Sequence, residues 1–276
     1  MTYKTKQRVI TVLLSVFMAL LSLIILVPLF IMILGSFKDA AEAQLFNLKL
    51  PSAWHFDNYA HVIHSGGIAK AFFNSTVITA AVTLIVILCG SCCAFVVSRR
   101  PSRYTKGVYA LFLVGMVSPL QVVTTFGLLK ILNLTGTYLG VILIMTAVQL
   151  PWTIFTLTGF IKNVPRELDE AAFIDGSSPL RMFFQIILPL LKPILATAVV
   201  STAMGAWNEF MIPLYFFNTS EKWTMPLTVY NFFGQYQSNW NYVFADLVLT
   251  ALPITLLYLY CQKYVVSGMT AGAVKG

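Results

Sequence analysis

Charge is what this sequence has least of. Only 10% of its 276 residues are Asp, Glu, Lys or Arg, against 58% apolar residues and a mean hydropathy of +0.80. A soluble domain could not cover its surface with so few polar side chains, so the chain is a membrane protein, and it is too long to be a single anchor. Histidine and cysteine are equally sparse, at three and four residues. His55, His61 and His64 fall in one stretch between apolar runs, and the His61/His64 pair has no carboxylate or cysteine partner nearby, which argues for a surface turn and against a zinc site. Cys89, Cys92 and Cys93 lie inside an apolar run beside Gly90, Ser91 and Ala94, where small residues let helices approach closely. Cys261 stands alone, so neither a metal cluster nor a disulfide is expected. The chain also lacks a G-x-x-x-x-G-K-[ST] loop, a G-x-G-x-x-G after a strand and a Ser/His/Asp arrangement. Nothing in it can bind or hydrolyse a nucleotide unaided, so no catalytic residue, cofactor or enzyme activity is expected of it. Ionisable residues within the apolar runs are too few for a proton relay, and a solute moved uphill would draw its energy through a partner.

What is abundant is apolar sequence in membrane-length runs. A hydrocarbon core about 30 Å thick needs roughly 20 apolar helical residues. Six runs qualify: Val9–Phe37, Ala71–Ser98, Val108–Leu129, Tyr138–Ile161, Pro193–Phe217 and Ala245–Tyr264. Of the chain's charged residues they contain only Glu209, Asp246 and Lys263. No alternating barrel pattern competes, so the expected class is all-α, a multi-pass membrane protein of six transmembrane helices. The first run follows Lys4, Lys6 and Arg8 but is too long for a signal peptide and has no small-x-small cleavage site, so it reads as an uncleaved span. Thirteen of the 18 basic residues fall on the side of both termini and of the loops around Arg99–Lys106 and Lys162–Lys192, while Lys38, Lys49, Lys70, Lys130 and Lys222 fall on the other. Both termini are therefore predicted to be cytoplasmic. The net charge of +8 is thus topology information and membrane lipid its counterpart, with no nucleic-acid motif present.

The loop between the fourth and fifth runs, residues 162–192, reads KNVPRELDEAAFIDGSSPLRMFFQIILPLLK. Pro165 suits a first helical position, and Glu167, Asp169 and Glu170 then sit near the positive end of the helix dipole. Leu168, Ala171, Ala172 and Asp175 are spaced to share one shallow face, and Gly176 is suited to stop the helix. Ser177 or Ser178 can cap a second, apolar helix that starts at Pro179 and reaches Leu188 and Pro189. Four of the chain's ten acids gather here on an otherwise basic side. An acidic helix is not drawn to an anionic lipid surface; it is placed to meet a soluble protein, or to serve as a plain solvated connector.

Glu170-Ala171-Ala172, Gly176 four residues after Ala172, Ile186 after nine more, then Leu188-Pro189, match the EAA-x3-G-x9-I-x-LP signature of ABC-importer permeases. The chain resembles that family and, within it, the MalG-type carbohydrate permeases. The narrower likeness rests on Asn74-Ser75, Trp207-Asn208-Glu209-Phe210 with Pro213-Leu214, and the terminal Gly268–Gly276 segment, with a generic Gly35-Ser36-Phe37-Lys38 ending the first span. The resemblance implies a type I ABC importer permease fold in a bacterial or archaeal inner membrane. Its parts would be an N-terminal helix and first extracellular loop (1–70), a permease core of five helices (71–264) and a cytoplasmic tail (265–276). It implies as partners a MalF-like companion permease, two ABC ATPase subunits that hold ATP and Mg, and an extracellular solute-binding protein. Residues 162–192 would be the coupling loop, with Glu170 pairing to a basic group of the ATPase and the tail touching the ATPase dimer.

Elsewhere the residues say less. Glu209 lies about 24 Å along its span counted from Pro193, toward the outer side. With Asn208 it lines the outer end of a pathway, holds an external gate, or makes a helix–helix hydrogen bond. Gln121, Thr124 and Gln149 are further pathway candidates. The external segment 218–244 is dense in aromatics, and interfacial belts account for many of them. Trp223, Tyr230, Phe233, Tyr236 and Trp240 are the candidates for binding-protein contact, since the resembled family uses this loop there. The cargo implied is a carbohydrate, an oligosaccharide first of all. A sugar acid or a glycerol-phosphate compound is the alternative cargo, and a secondary carrier the alternative mechanism, although the latter calls for an inverted repeat and midplane ionisable groups.

Overall fold

A computed structural model describes residues 3–234 and 239–273. In chain order its helices are α1 (Tyr3–Gly35), α2 (Ala40–Ala43), α3 (Asp57–Ser65), α4 (Ile68–Arg99), α5 (Arg103–Val117), α6 (Val122–Ile131), α7 (Tyr138–Ile161) and α8 (Glu167–Ile174). There follow α9 (Pro179–Arg181), a π-helical turn at Met182–Ile187, α10 (Leu188–Leu190), α11 (Lys192–Trp207), α12 (Met211–Phe216), two 3-10 turns and α13 (Trp240–Ala273). Among the described residues, four helices are long and apolar enough to cross a membrane: Ile10–Gly35, Ile68–Arg99, Tyr138–Ile161 and Trp240–Lys263. The bent pair Pro179–Leu190 and Lys192–Trp207, which meet at 82°, passes the same test only when taken together, as a broken span or a re-entrant segment.

Two of the six expected spans are therefore not single helices. The Val108–Leu129 run divides into α5 and α6 because Pro119 has no N–H to give and forces Ser118 into an extended conformation, with ψ 123°. The Pro193–Phe217 run ends its first helix at Trp207. A continuous helix would need the missing N–H of Pro213 for the Glu209 carbonyl, and instead the Glu209 carboxylate accepts from the Ile212 N–H at 3.0 Å and starts α12. Proline does not break every span: Pro28, Pro151 and Pro253 lie inside α1, α7 and α13. At the other end, α13 continues through the Gly/Ala-rich segment to Ala273, while Val274, Lys275 and Gly276 of the expected tail lie outside the described residues.

The chain forms two compact units. The first comprises residues 1–68 and 228–252. Here α1 leaves its apolar side chains exposed from Ile10 to Phe30, as a lipid- or protein-facing helix would. Its end is fixed by a polar network. Asn58 donates to the carbonyls of Ser36 and Lys38, both at 2.9 Å, Asn241 donates to Asn58 Oδ1, and the buried Lys38 ammonium donates to Asn47 O and Oδ1. Gly35 has no alternative, since a Cβ there would run into the Phe244 ring.

The second unit comprises residues 69–227 and 253–276. Ile78, Val82 and Val86 of α4 pack with Val141 and Met145 of α7 and Phe216 of α12, while Leu157, Ile161, Ile187 and Leu191 make a second core beside the segment 162–192. Asn74 is 64 residues from Tyr138 in sequence, yet its Oδ1 accepts from the Tyr138 hydroxyl at 2.9 Å. Its Nδ2 donates to the carbonyls of Glu221 and Trp223. Ser75 Oγ accepts from the Met225 N–H. The Asn74-Ser75 pair thus staples the segment 221–225 to the head of α4.

Candidate functional site

The segment 162–192 builds a short helix on a defined mount. α8 starts at Glu167, two residues later than Pro165 predicts, and Glu167, Asp169 and Glu170 occupy its first turn. It ends in a Schellman arrangement, with Ser177 N–H bonded to Ala172 O at 2.9 Å and Gly176 N–H to Phe173 O at 3.0 Å. Gly176 sits at φ +73°, with nothing within 4 Å of where a Cβ would be, so the backbone and not space requires glycine. Of the two serines offered as caps, Ser178 is the one used, accepting from the Arg181 N–H. The apolar helix then passes Leu188 and Pro189 and bends into α11, with Ile187 and Leu191 fully buried.

The acids of α8 divide. Glu167, Glu170 and Asp175 are exposed, together with Leu168 and Ala171, whereas Ala172 is buried. Asp169 turns inward: its Oδ2 lies 2.7 Å from Arg99 Nε at the end of α4, with 18% and 7% of the two side chains exposed. Arg99 also donates through Nη2 to the Val164 carbonyl at 3.1 Å. Asp169 Oδ1 is buried and has no hydrogen-bond partner among the described residues. Phe173 and Ile174, at the tip of α8, are 81% and 84% exposed. Sequence reasoning counted Arg99 only as a topology charge and passed over Phe173 and Ile174. The one available signal was two large apolar residues among acids on a helix too short to need a second apolar face.

The pathway candidates scatter. Gln121 is the exposed N-cap of α6, and the Thr124 hydroxyl bonds back to the Gln121 carbonyl at 3.1 Å. Asn208 is the exposed end of α11, Glu209 caps α12, and Trp207 is buried against Phe72 with ring centroids 5.7 Å apart. Gln149 is different, for it shares a cavity of about 290 Å³ with Val148, Trp152, Ser201 and Thr202. In the segment 218–244, Phe233 and Trp240 pack ring to ring at 5.5 Å and Tyr230 is exposed. Trp223, in the other unit, is half-buried and its carbonyl is held by Asn74, while Tyr236 lies outside the described residues. Among the described residues no group of three or more His, Cys, Asp and Glu is placed to hold a metal ion.

A family model described as the inner membrane component of binding-protein-dependent transport systems matches residues 86–271, a stretch that contains the whole segment 162–192. The multiple sugar-binding transport system permease protein MsmG of Streptococcus mutans is 36% identical over 259 residues, 92% of this chain and 93% of its own. The diacetylchitobiose uptake system permease protein NgcG of Streptomyces coelicolor is 31% identical over 258 residues, 92% of this chain and 85% of its own. Among solved structures, a chain of a bacterial ABC transporter involved in the import of the acidic polysaccharide alginate matches with a TM-score of 0.82 at 21% identity. That match covers 96% of this chain and 99% of the other, and carries the fold.

Proposed function

The chain belongs to the family of binding-protein-dependent transport system inner membrane components, and from that premise we propose that it is a permease subunit of an ATP-driven ABC importer for a carbohydrate, an oligosaccharide first of all. In this reading both termini face the cytoplasm, a companion permease completes the membrane portion, two ATPase subunits bind and hydrolyse ATP with Mg, and a solute-binding protein delivers cargo from outside. The observation that carries it is the build of α8. An eight-residue helix is too short to be stable alone, yet here it is fixed by a buried Ala172, the Arg99–Asp169 pair and the Schellman end. It holds Glu167, Glu170, Phe173 and Ile174 outward. Carboxylates around an apolar tip suit insertion into a groove lined by basic and apolar groups. Movement of the docked helix then reaches α4 through Arg99 and α11 through the buried turn at Leu191, which is the input that alternating access requires. The sugar assignment is supported by the names of the relatives above.

The test is reconstitution of the co-purifying complex in lipid vesicles and measurement of ATP hydrolysis with its binding protein and a panel of oligosaccharides. Stimulation by a sugar, lost in Glu170→Ala, is the expected result. Stimulation by a solute of another class overturns the cargo, and wild-type uptake in Glu170→Ala overturns the coupling role.

A further inference from the structure

We propose that this subunit touches the sugar itself, through a wall at mid-membrane depth formed by Gln149 and Trp152 on α7 and Ser201 on α11, with Thr202 buried behind it; the proposal rests on the carbohydrate reading above. Gln149 lies roughly 17 Å from the start of α7, and Ser201 and Thr202 roughly 14–15 Å from the start of α11, so all three sit near the middle of a core about 30 Å thick. They line one cavity of about 290 Å³. The primary amide of Gln149 and the hydroxyl of Ser201 at this depth are costly toward lipid and need protein, water or a polar solute opposite them. Trp152, on the same cavity, is 41% exposed, so its indole is not used up in packing. Gly205 lets the Gln149 amide approach α11. A Cβ there would come within 3.0 Å of Gln149 Oε1, and without it the amide lies against the backbone of α11.

The chemistry of this wall fits a sugar ring. Pyranoses present an apolar C–H face, which an indole covers, and a rim of hydroxyls, which an amide and hydroxyl side chains can both donate to and accept from. None of the five lining residues is charged. The wall therefore supplies hydrogen-bond donors but no cation to balance a carboxylate or a phosphate, which favours uncharged oligosaccharides over sugar acids and glycerol phosphates. The larger cavity between α4, α11 and α13, about 480 Å³, carries Thr76, Thr79, Thr83 and Trp207 but no amide, and Trp207 is buried, so it presents no open indole face to a sugar ring.

The test uses the assembled complex in liposomes, with Cys89, Cys92, Cys93 and Cys261 replaced by alanine and Ser201→Cys introduced. Uptake of radiolabelled raffinose, diacetylchitobiose and an alginate trisaccharide by the wild-type complex comes first and identifies the probe sugar. The expected result is that a membrane-impermeant methanethiosulfonate labels Ser201→Cys, and that the probe with its binding protein and ATP slows labelling at least fivefold. In parallel, Trp152→Leu should lower sugar moved per ATP hydrolysed about tenfold while Trp152→Phe keeps most of it. An unreactive Ser201→Cys, or labelling that a transported sugar does not slow, overturns the wall alone. Transport of a non-carbohydrate solute by the wild type in place of all three sugars overturns the carbohydrate reading and the wall with it, and uptake of the alginate fragment alone overturns the selection for uncharged cargo.

Discussion

Replacing Arg99 with alanine should release α8 from α4 without unfolding the membrane helices. The ion pair is 2.7 Å long and its side chains are 7% and 18% exposed. Removing one member of a buried pair costs about 3–5 kcal/mol, chiefly because the other charge is stranded. Asp169 would be stranded with an Oδ1 that already has no partner among the described residues, and the Arg99 bond to the Val164 carbonyl would go as well. Against this, Asp169 keeps some exposure and α8 can swing into water, so a local cost of about 2–3 kcal/mol is expected. At about 1.4 kcal/mol per factor of ten, the undocked arrangement gains roughly 30- to 150-fold in population. The assay is hydrogen exchange of the α8 amides in the lipid-embedded complex, read against the amides of α7 as an internal standard. Exchange in α8 should accelerate by that factor and α7 should not change, while sugar uptake per ATP hydrolysed falls. The double replacement with Asp169→Ala should be milder than the sum of the two single ones, because each single variant already removes the shared interaction. Exchange within threefold of wild type in Arg99→Ala, with uptake intact, would refute the claim that this pair mounts the coupling helix.

Three further outcomes follow from particular contacts. At Gly176, where the demand is φ +73° and the space is open, Gly176→Asn should keep most uptake and Gly176→Val should lose it, since asparagine tolerates the left-handed region and a β-branched residue does not; equal loss in both would put the role elsewhere. Asn74→Ala removes three hydrogen bonds at a buried site, a cost of about 2–4 kcal/mol, to be read as a lower midpoint of thermal unfolding and as protease sensitivity in the segment 218–227. Gly35→Ala must displace the Phe244 ring at a cost of about 1–3 kcal/mol. Its unfolding midpoint should recover in part when Phe244→Leu is added.

The sequence made the spans legible where a helix could satisfy its own backbone, and it misled where a proline met a second option. Pro151 is itself buried in α7, and the helix passes through it. Pro119 and Pro213 follow residues with somewhere else to go: Ser118 into an extended link, Glu209 into a cap. Hydropathy counts all three stretches alike because it carries no hydrogen-bond geometry. The local structure of residues 162–192 was legible almost to the residue, since dipole, Schellman glycine and serine cap are local rules that a short window of sequence states in full. The Arg99–Asp169 contact bridges 70 positions, and the Gln149–Gly205 approach bridges 56. Neither has a local signature, because the packing of α7 against α4 and α11 brings those residues together.

Those two long-range contacts also bear on how motion would travel. α8 has few means of holding itself: eight residues, one buried alanine and an exposed apolar tip. Its position is therefore set by what it is tied to, and the tie is stiff toward α4, through a short ion pair, and toward α11, through the packed turn at Ile187 and Leu191. A displacement at Phe173 and Ile174 cannot be absorbed by bending α8 alone without stranding Asp169, so it is passed to the end of α4 and the start of α11 together. Ser201 and Thr202 lie on that same α11, roughly 14–15 Å from its start, and face Gln149 on α7. A tilt of α11 that opens one end of the bundle must then change the Gln149–Ser201 side of the cavity, so that cargo contact and coupling share one moving helix. On this account a variant that loosens the tie, Arg99→Ala, should leave labelling of Ser201→Cys without ATP unchanged and abolish its slowing by the sugar with binding protein and ATP. Protection that still follows ATP in Arg99→Ala would mean that the movement enters α11 by another route.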